Sequence, residues 1–270
     1  MMSRVMRAYV QIGRRQAHYR TITDFPAGAE RVLLLHQVSS SSRMFDKIMP
    51  MMADAGLTPV APDLPGFGGS DPLRRVTISG FANWVAQFAD RVGVQQPAWI
   101  IGHHTGAGVA SELAAQMPER VAGLILVGVS YYATEAIRQK RWRDKKIRKI
   151  VPLPDGEHLI HEWNRLKDLS PEMDLALLHR EAVDTFVSDR YDLAYRAVFQ
   201  WTRAERLPLI RCPVTIVAGT KDVLFPGQEP ASKVIPNCQL VIVQDGTTFM
   251  FDERTADLAR IIVDRIVGRS

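Results

Sequence analysis

The chain has 270 residues, 46% of them hydrophobic and 23% charged, with a formal net charge of +5. That length suits one large α/β domain with a complete core, and the composition is that of a globular chain. No run approaches the roughly 18 consecutive apolar residues of a membrane span, and residues 1–20 lack the pattern of a signal peptide, so a cytoplasmic protein is expected.

Residues 7–12 and 16–23 read as an opening antiparallel pair joined through Gly13. Residues 31–36 (RVLLLH) form a continuous apolar run, as expected of a strand buried on both faces. A short strand at 59–61 ends at Asp63. Further strands are expected at 98–101 (AWII), 121–127 (VAGLILV), 214–218 and 240–243. Helical periodicity fills 45–55, 78–92, 108–117 and 252–267. Repeated strand–helix alternation predicts a mostly parallel, eight-stranded sheet with helices on both faces. The alternation breaks between Ser130 and Cys212, where strand signals vanish and Pro152, Pro154 and Pro171 punctuate helix-forming sequence. Residues 1–130 and 209–270 are therefore expected to form the core, and 131–208 a helical cap over one end of the sheet.

Cys212 and Cys238 lie beside apolar runs, outside any Cys/His cluster, and are expected as reduced, buried core thiols without zinc. Residues 138–149 hold eight basic residues and the single acid Asp144. The pattern predicts a solvated helix face with Trp142, Ile147 and Ile150 turned inward. No nucleic-acid-reading module accompanies it, so no nucleic-acid partner is expected. His158 and His161 stand three apart with no third metal ligand identified, so exposure or pocket lining is the expectation.

Four segments, in order, resemble the α/β-hydrolase superfamily over nearly the whole chain. His36-Gln37 is similar to its His-Gly oxyanion loop. Asp63-Leu64-Pro65-Gly66-Phe67-Gly68-Gly69-Ser70 is similar to its DxPGxGxS turn. Gly102-His103-His104-Thr105-Gly106 stands where the nucleophile elbow belongs, and Ala218-Gly219-Thr220-Lys221-Asp222 resembles the loop that carries the triad acid. The resemblance is to the capped branch: haloalkane dehalogenases, epoxide hydrolases and carbon–carbon-bond hydrolases. It implies the α/β-hydrolase fold, a small organic substrate and no metal or organic cofactor.

The sequence departs from that pattern at three places. His104 replaces the nucleophile, Thr248 takes the place of the catalytic histidine, and Gln37 replaces the oxyanion-loop glycine, while Asp222 keeps the acid. A serine nucleophile needs an adjacent base, and neither partner is present, so acyl-enzyme chemistry is not expected. An imidazole at the elbow exchanges protons near neutral pH. The expected enzyme uses His104 as general acid/base, with the Val38 and Thr105 amides stabilising an oxyanion, in hydrolysis or lyase-type cleavage of a small apolar substrate. Two alternatives stay open: Thr248 as a nucleophile activated by His104, and a small-molecule-binding protein without chemistry. Gln37 and Ser41 are further candidates for substrate contact, although the serine run 39–42 also suits helix capping. His103 is expected to pack against the sheet, His36 to be a core histidine bonded to the turn near Asp63, and Asp63 to brace its own turn. The sequence leaves the choice between monomer and homodimer open.

Overall fold

Central strands buried on both faces must be largely apolar, and the sheet follows this. Its eight strands are β1 (Val5–Ile12), β2 (Arg15–Ile22), β3 (Arg31–Leu35), β4 (Thr58–Pro62), β5 (Ala98–His103), β6 (Val121–Val127), β7 (Val214–Gly219) and β8 (Cys238–Val243). They run in the order β1-β2-β4-β3-β5-β6-β7-β8, with β1–β2 and β2–β4 antiparallel and the rest parallel. This is the α/β-hydrolase fold. The computed structural model describes residues 4–23, 30–94, 96–132, 134–145, 147, 149–188 and 191–268.

The two-residue strand period sorts side chains into two cores. Leu33, Leu35, Ile100, Leu124, Leu126 and Ile216 pack with α2 (Ile78–Arg91) and α3 (Thr105–Gln116). Val32, Leu34, Trp99, Ile101, Ile125 and Val127 pack on the other face with α1 (Ile48–Asp54), together with helices that follow β8.

Between β6 and β7 the described residues form no strand. They form α4 (Glu135–Lys145), α5 (Glu157–Leu169), α6 (Leu175–Val187), α7 (Tyr191–Gln200) and the single turn α8 (Arg203–Arg206). After β7 come α9 (Gln228–Val234), then α10 (Met250–Glu253) and α11 (Thr255–Ile266) beyond β8. Leu166, Leu178 and Ala182 of α5 and α6 form a third apolar cluster with Phe249, from the loop after β8.

Polar contacts fasten α6 to the segment after β3. Ser39 Oγ meets Thr185 Oγ1 at 2.5 Å, Ser40 Oγ donates to Glu181 at 3.1 Å, and Ser41 Oγ donates to Asp184 at 2.7 Å. Arg43 adds an ion pair to Asp184, and Arg180 of α6 grips Asp252 of α10 with two hydrogen bonds. The serine run is thus chiefly a fastening for the helical segment. Only Ser41 also caps, accepting from the Arg43 amide at 3.3 Å.

Several boundaries differ from the sequence expectation. The helix expected at 45–55 is a 3₁₀ turn (Ser42–Phe45) followed by α1, because Asp63 and Ser41 accept the Ser42 and Arg43 amides and start the turn early. The helix expected at 252–267 divides into α10 and α11 at Arg254, whose φ is −126°. The cysteines are free but half-buried, not core: Cys212 precedes β7, and Cys238 opens the edge strand β8. In the basic stretch Trp142, Ile147 and Ile150 are half-buried while Arg141, Arg143 and Lys149 are exposed, but the helix ends at Lys145, so Ile147, Lys149 and Ile150 follow it rather than lie on its faces; Lys146 and Arg148 lie outside the described residues. No helix is long and apolar enough to cross a membrane among the described residues.

Asp63 joins three parts of the fold. Its carboxylate accepts from the Ser42 amide (2.7 Å), the Gly69 amide (2.8 Å) and His18 Nδ1 (2.7 Å). Burial pushes its pKa up, but these hydrogen bonds outweigh it, His18 foremost, and hold it down at about 2, against an ordinary 3.8. A carboxyl whose folded pKa is depressed contributes stability above its unfolded value and loses it as pH falls through the folded one. Chemical denaturation should therefore show about 2 kcal/mol of stability lost from this site between roughly pH 5 and pH 2. Asp63→Asn should destabilise the protein at pH 7 and flatten that acid limb.

Candidate active site

β5 ends in His103, and the chain turns into α3 through His104, whose φ of 47° and ψ of −101° lie in a region that non-glycine residues rarely occupy. Two contacts hold the turn: the His104 amide donates to Val127 O at 2.9 Å, and its carbonyl accepts from the Gly108 amide at 3.1 Å. Gly106 makes the geometry attainable, since a Cβ there would overlap the carbonyl oxygen of Leu35 on β3. The sharp strand–turn–helix projects the imidazole at the start of α3.

The imidazole reaches the loop after β7. His104 Nε2 lies 2.7 Å from Asp222 Oδ2, with the carboxylate buried. Asp222 Oδ1 accepts from the Leu224 amide at 2.7 Å, which fixes the orientation of the carboxylate. Gly128, after β6, leaves the room this contact needs: its φ is +69°, and a Cβ on it would overlap the Cδ2–Nε2 edge of His104. The Gly128–Val129 turn is itself held by Gln228 of α9, which accepts from the Val129 amide and donates to its carbonyl, both at 2.8 Å. With Nε2–H donating to the Asp222 carboxylate, Nδ1 is left as the acceptor nitrogen. No hydrogen bond to Nδ1 is found among the described residues, and the His104 side chain is partly exposed.

A small cavity of about 30 Å³ adjoins the imidazole. Gln37, Val38, His104 and Thr248 line it from the sheet side, and Arg165 and Tyr195 from the helical segment. A space of that size holds about one or two waters. A wider groove of about 730 Å³ opens on the outer side of α5, and Arg165 lines both spaces.

The predicted residues divide accordingly. Gln37, Val38, His104 and Thr248 converge on the cavity, and Asp222 stands behind His104. Thr105 and Ser41 are buried nearby without lining it, and the Ser41 hydroxyl is committed to Asp184. Thr248 Oγ1 is buried with no hydrogen-bond partner, and the His104 nitrogen bonded to a side chain goes to Asp222, not to Thr248. His36 is a core histidine, accepting the Leu64 amide at 2.8 Å and donating to Gln37 O at 2.7 Å, which shapes the residue-37 loop. His158 and His161 line the outer groove. Sequence reasoning missed Arg165, Tyr195, Gly128 and Gln228; only the glycine, at a strand end, carried a local signal.

His103 points to the face of Trp99 and Ile101, packs against Phe251 at 5.3 Å, and lies 4.4 Å ring-to-ring from His104. It is fully buried, and neither ring nitrogen has a hydrogen-bond partner. Burial first, then the neighbouring His104 and His36, push its pKa well below the ordinary value, so it is a neutral imidazole. An unpaired buried polar group of this kind costs about 1–3 kcal/mol.

With this geometry in view, the family is plain. Residues 30–255 match the family model for the α/β hydrolase fold, and the chain belongs to that family. Among individual relatives, the dihydrolipoyllysine-residue acetyltransferase component of the acetoin cleaving system of Cupriavidus necator is 41% identical over 37% of this chain. That match spans only 26% of the relative's own length. An uncharacterized hydrolase of Saccharomyces cerevisiae is 24% identical over 82% of this chain and 83% of its own. The crystal structure of bromoperoxidase from Bacillus anthracis superposes with a TM-score of 0.79 at 14% identity, covering 96% of this chain and 98% of that one.

The contact between His104 and Asp222 sets the tautomer, and that is measurable without a substrate. Long-range ¹H–¹⁵N correlation spectra at neutral pH should show His104 protonated on Nε2. Gly128→Ala and Asp222→Ala should each abolish that preference, and His103 should not titrate between pH 5 and 8.

Proposed function

We propose that the chain is a hydrolase-family enzyme that cleaves a small, mostly apolar organic substrate, by hydrolysis or lyase-type elimination, without a serine acyl-enzyme. The observation that carries this reading is the 2.7 Å contact between His104 Nε2 and Asp222, in a histidine that lines the cavity; Nδ1 is the proposed base. In the proposed step Nδ1 takes a proton from water or from a substrate O–H or C–H, and the resulting imidazolium is stabilised by Asp222. The Val38 and Thr105 amides are the proposed oxyanion donors, the latter because the first amides of a helix have no partner within it. Gln37 and Thr248 orient substrate or water from the cavity wall.

Domain organisation follows the same reading: residues 131–208 serve as a cap on a core made of 1–130 and 209–270. The cavity as it stands admits water, not substrate, so turnover requires α5 and α6 to move away from the serine segment. The outer groove, which Arg165 also lines, is the proposed approach.

The test is a substrate panel of small esters, lactones, epoxides and β-diketones combined with an active-site label. At least one compound should turn over, and His104→Ala should lower kcat by about 10²–10⁴, the usual contribution of a positioned general base. The wild type should resist fluorophosphonate labelling, whereas the double variant His104→Ser/Thr248→His, which rebuilds a serine, histidine and aspartate set, should gain it. Labelling of the wild type, or an undiminished kcat in His104→Ala, overturns the reading.

A further inference from the structure

His103, His104 and Asp222 each offer one ligand atom, and these atoms lie within 4.8 Å of one another. Two imidazoles and one carboxylate are a donor set for a borderline divalent ion of the first transition row, and unlike the all-oxygen sets that suit calcium or magnesium. The second observation is independent of that spacing: His103 is fully buried, with both ring nitrogens unpartnered. A neutral imidazole, sealed from water and donating to nothing, offers its lone pair to a ligand and to little else. The third is orientation: the Leu224 amide holds the second oxygen of Asp222 at 2.7 Å, as outer hydrogen bonds hold the ligands of metal centres.

We propose that His103, His104 and Asp222 bind one divalent transition-metal ion of the zinc type. Metal–nitrogen and metal–oxygen bonds of about 2.0–2.2 Å would draw the three groups inward. The ion replaces the proton between His104 and Asp222, so the metal-bound form and the hydrogen-bonded dyad are alternative states of one site. Three protein ligands leave a position open for water, the arrangement of catalytic rather than structural zinc. His104 is the ligand that also lines the cavity. The proposal goes beyond the general-base reading and shares two residues with it.

The experiment is direct binding. Purified full-length protein is stripped with chelator and dialysed against ZnCl₂ or CoCl₂, then metal content, cobalt absorption and binding isotherms are measured. One ion per chain is expected, with the visible d–d bands of a low-coordinate cobalt site. His103→Phe and Asp222→Ala should each weaken binding by at least about 100-fold, the upper range even for outer-shell changes. His158→Ala/His161→Ala should bind as the wild type does. If His103→Phe does not fold, His103→Gln and the zinc-induced ¹⁵N shift of His103 in the wild type give the same reading. Binding below one ion per chain, or unchanged affinity in the folded His103 and Asp222 variants, overturns the site. That result leaves the general-base reading untouched, because that reading is judged by a rate and a label.

Discussion

The hydrogen bond from His104 to Asp222 spans 118 residues of sequence and depends on the absence of a side chain at position 128. Around it, each neighbouring element has a definable task. β5 and α3 supply the strained turn, Gly106 lets that turn lie against β3, and the loop after β7 presents the carboxylate. Gln228 holds the turn that gives the imidazole its room. Buried polar groups are stable only when paired, so a site built from histidines and carboxylates must be fitted closely on every side. Among the groups that break this rule, His103 and Thr248 stand within the site.

The family scaffold explains why so unusual an elbow is tolerated. Backbone geometry at the turn is set by glycines and by main-chain hydrogen bonds, neither of which depends on what residue 104 carries beyond Cβ. Chemistry can therefore change at that position without a change of fold, which is why fold alone does not decide mechanism. An imidazole is longer than a serine side chain and reaches the acid loop without an intermediary. With His104 already on Asp222, the histidine normally found in the place of Thr248 has no carboxylate left to orient it.

Much of the fold was legible because burial on both faces of a parallel sheet writes continuous apolar runs, as in residues 31–35 and 121–127. The turns at His104 and Asp63 and the loop of Asp222 were legible as turns because glycines and a proline at fixed spacing mark them. The serine run was not. Ser39, Ser40 and Ser41 read as helix caps locally, whereas their partners lie more than 140 residues away on α6. The half-buried cysteines misled for a related reason: apolar neighbours mark a strand, not its place at the sheet edge. Arg165 and Tyr195 come from a segment whose sequence shows helices but not which of their faces meets the sheet.

The contacts between residues 39–41 and α6 have a kinetic meaning. They sit on consecutive residues of one loop, which turns at Val38 and Ser39, and face one turn of one helix, so releasing the helix breaks them together. The opening proposed above would therefore be cooperative: α6 docked or released, with little population between. A few such bonds, each worth about 0.5–1.5 kcal/mol net, keep the released form rare while leaving it accessible. On the proposed reading the serine segment would thus set how often a substrate-sized molecule, rather than water, reaches the imidazole.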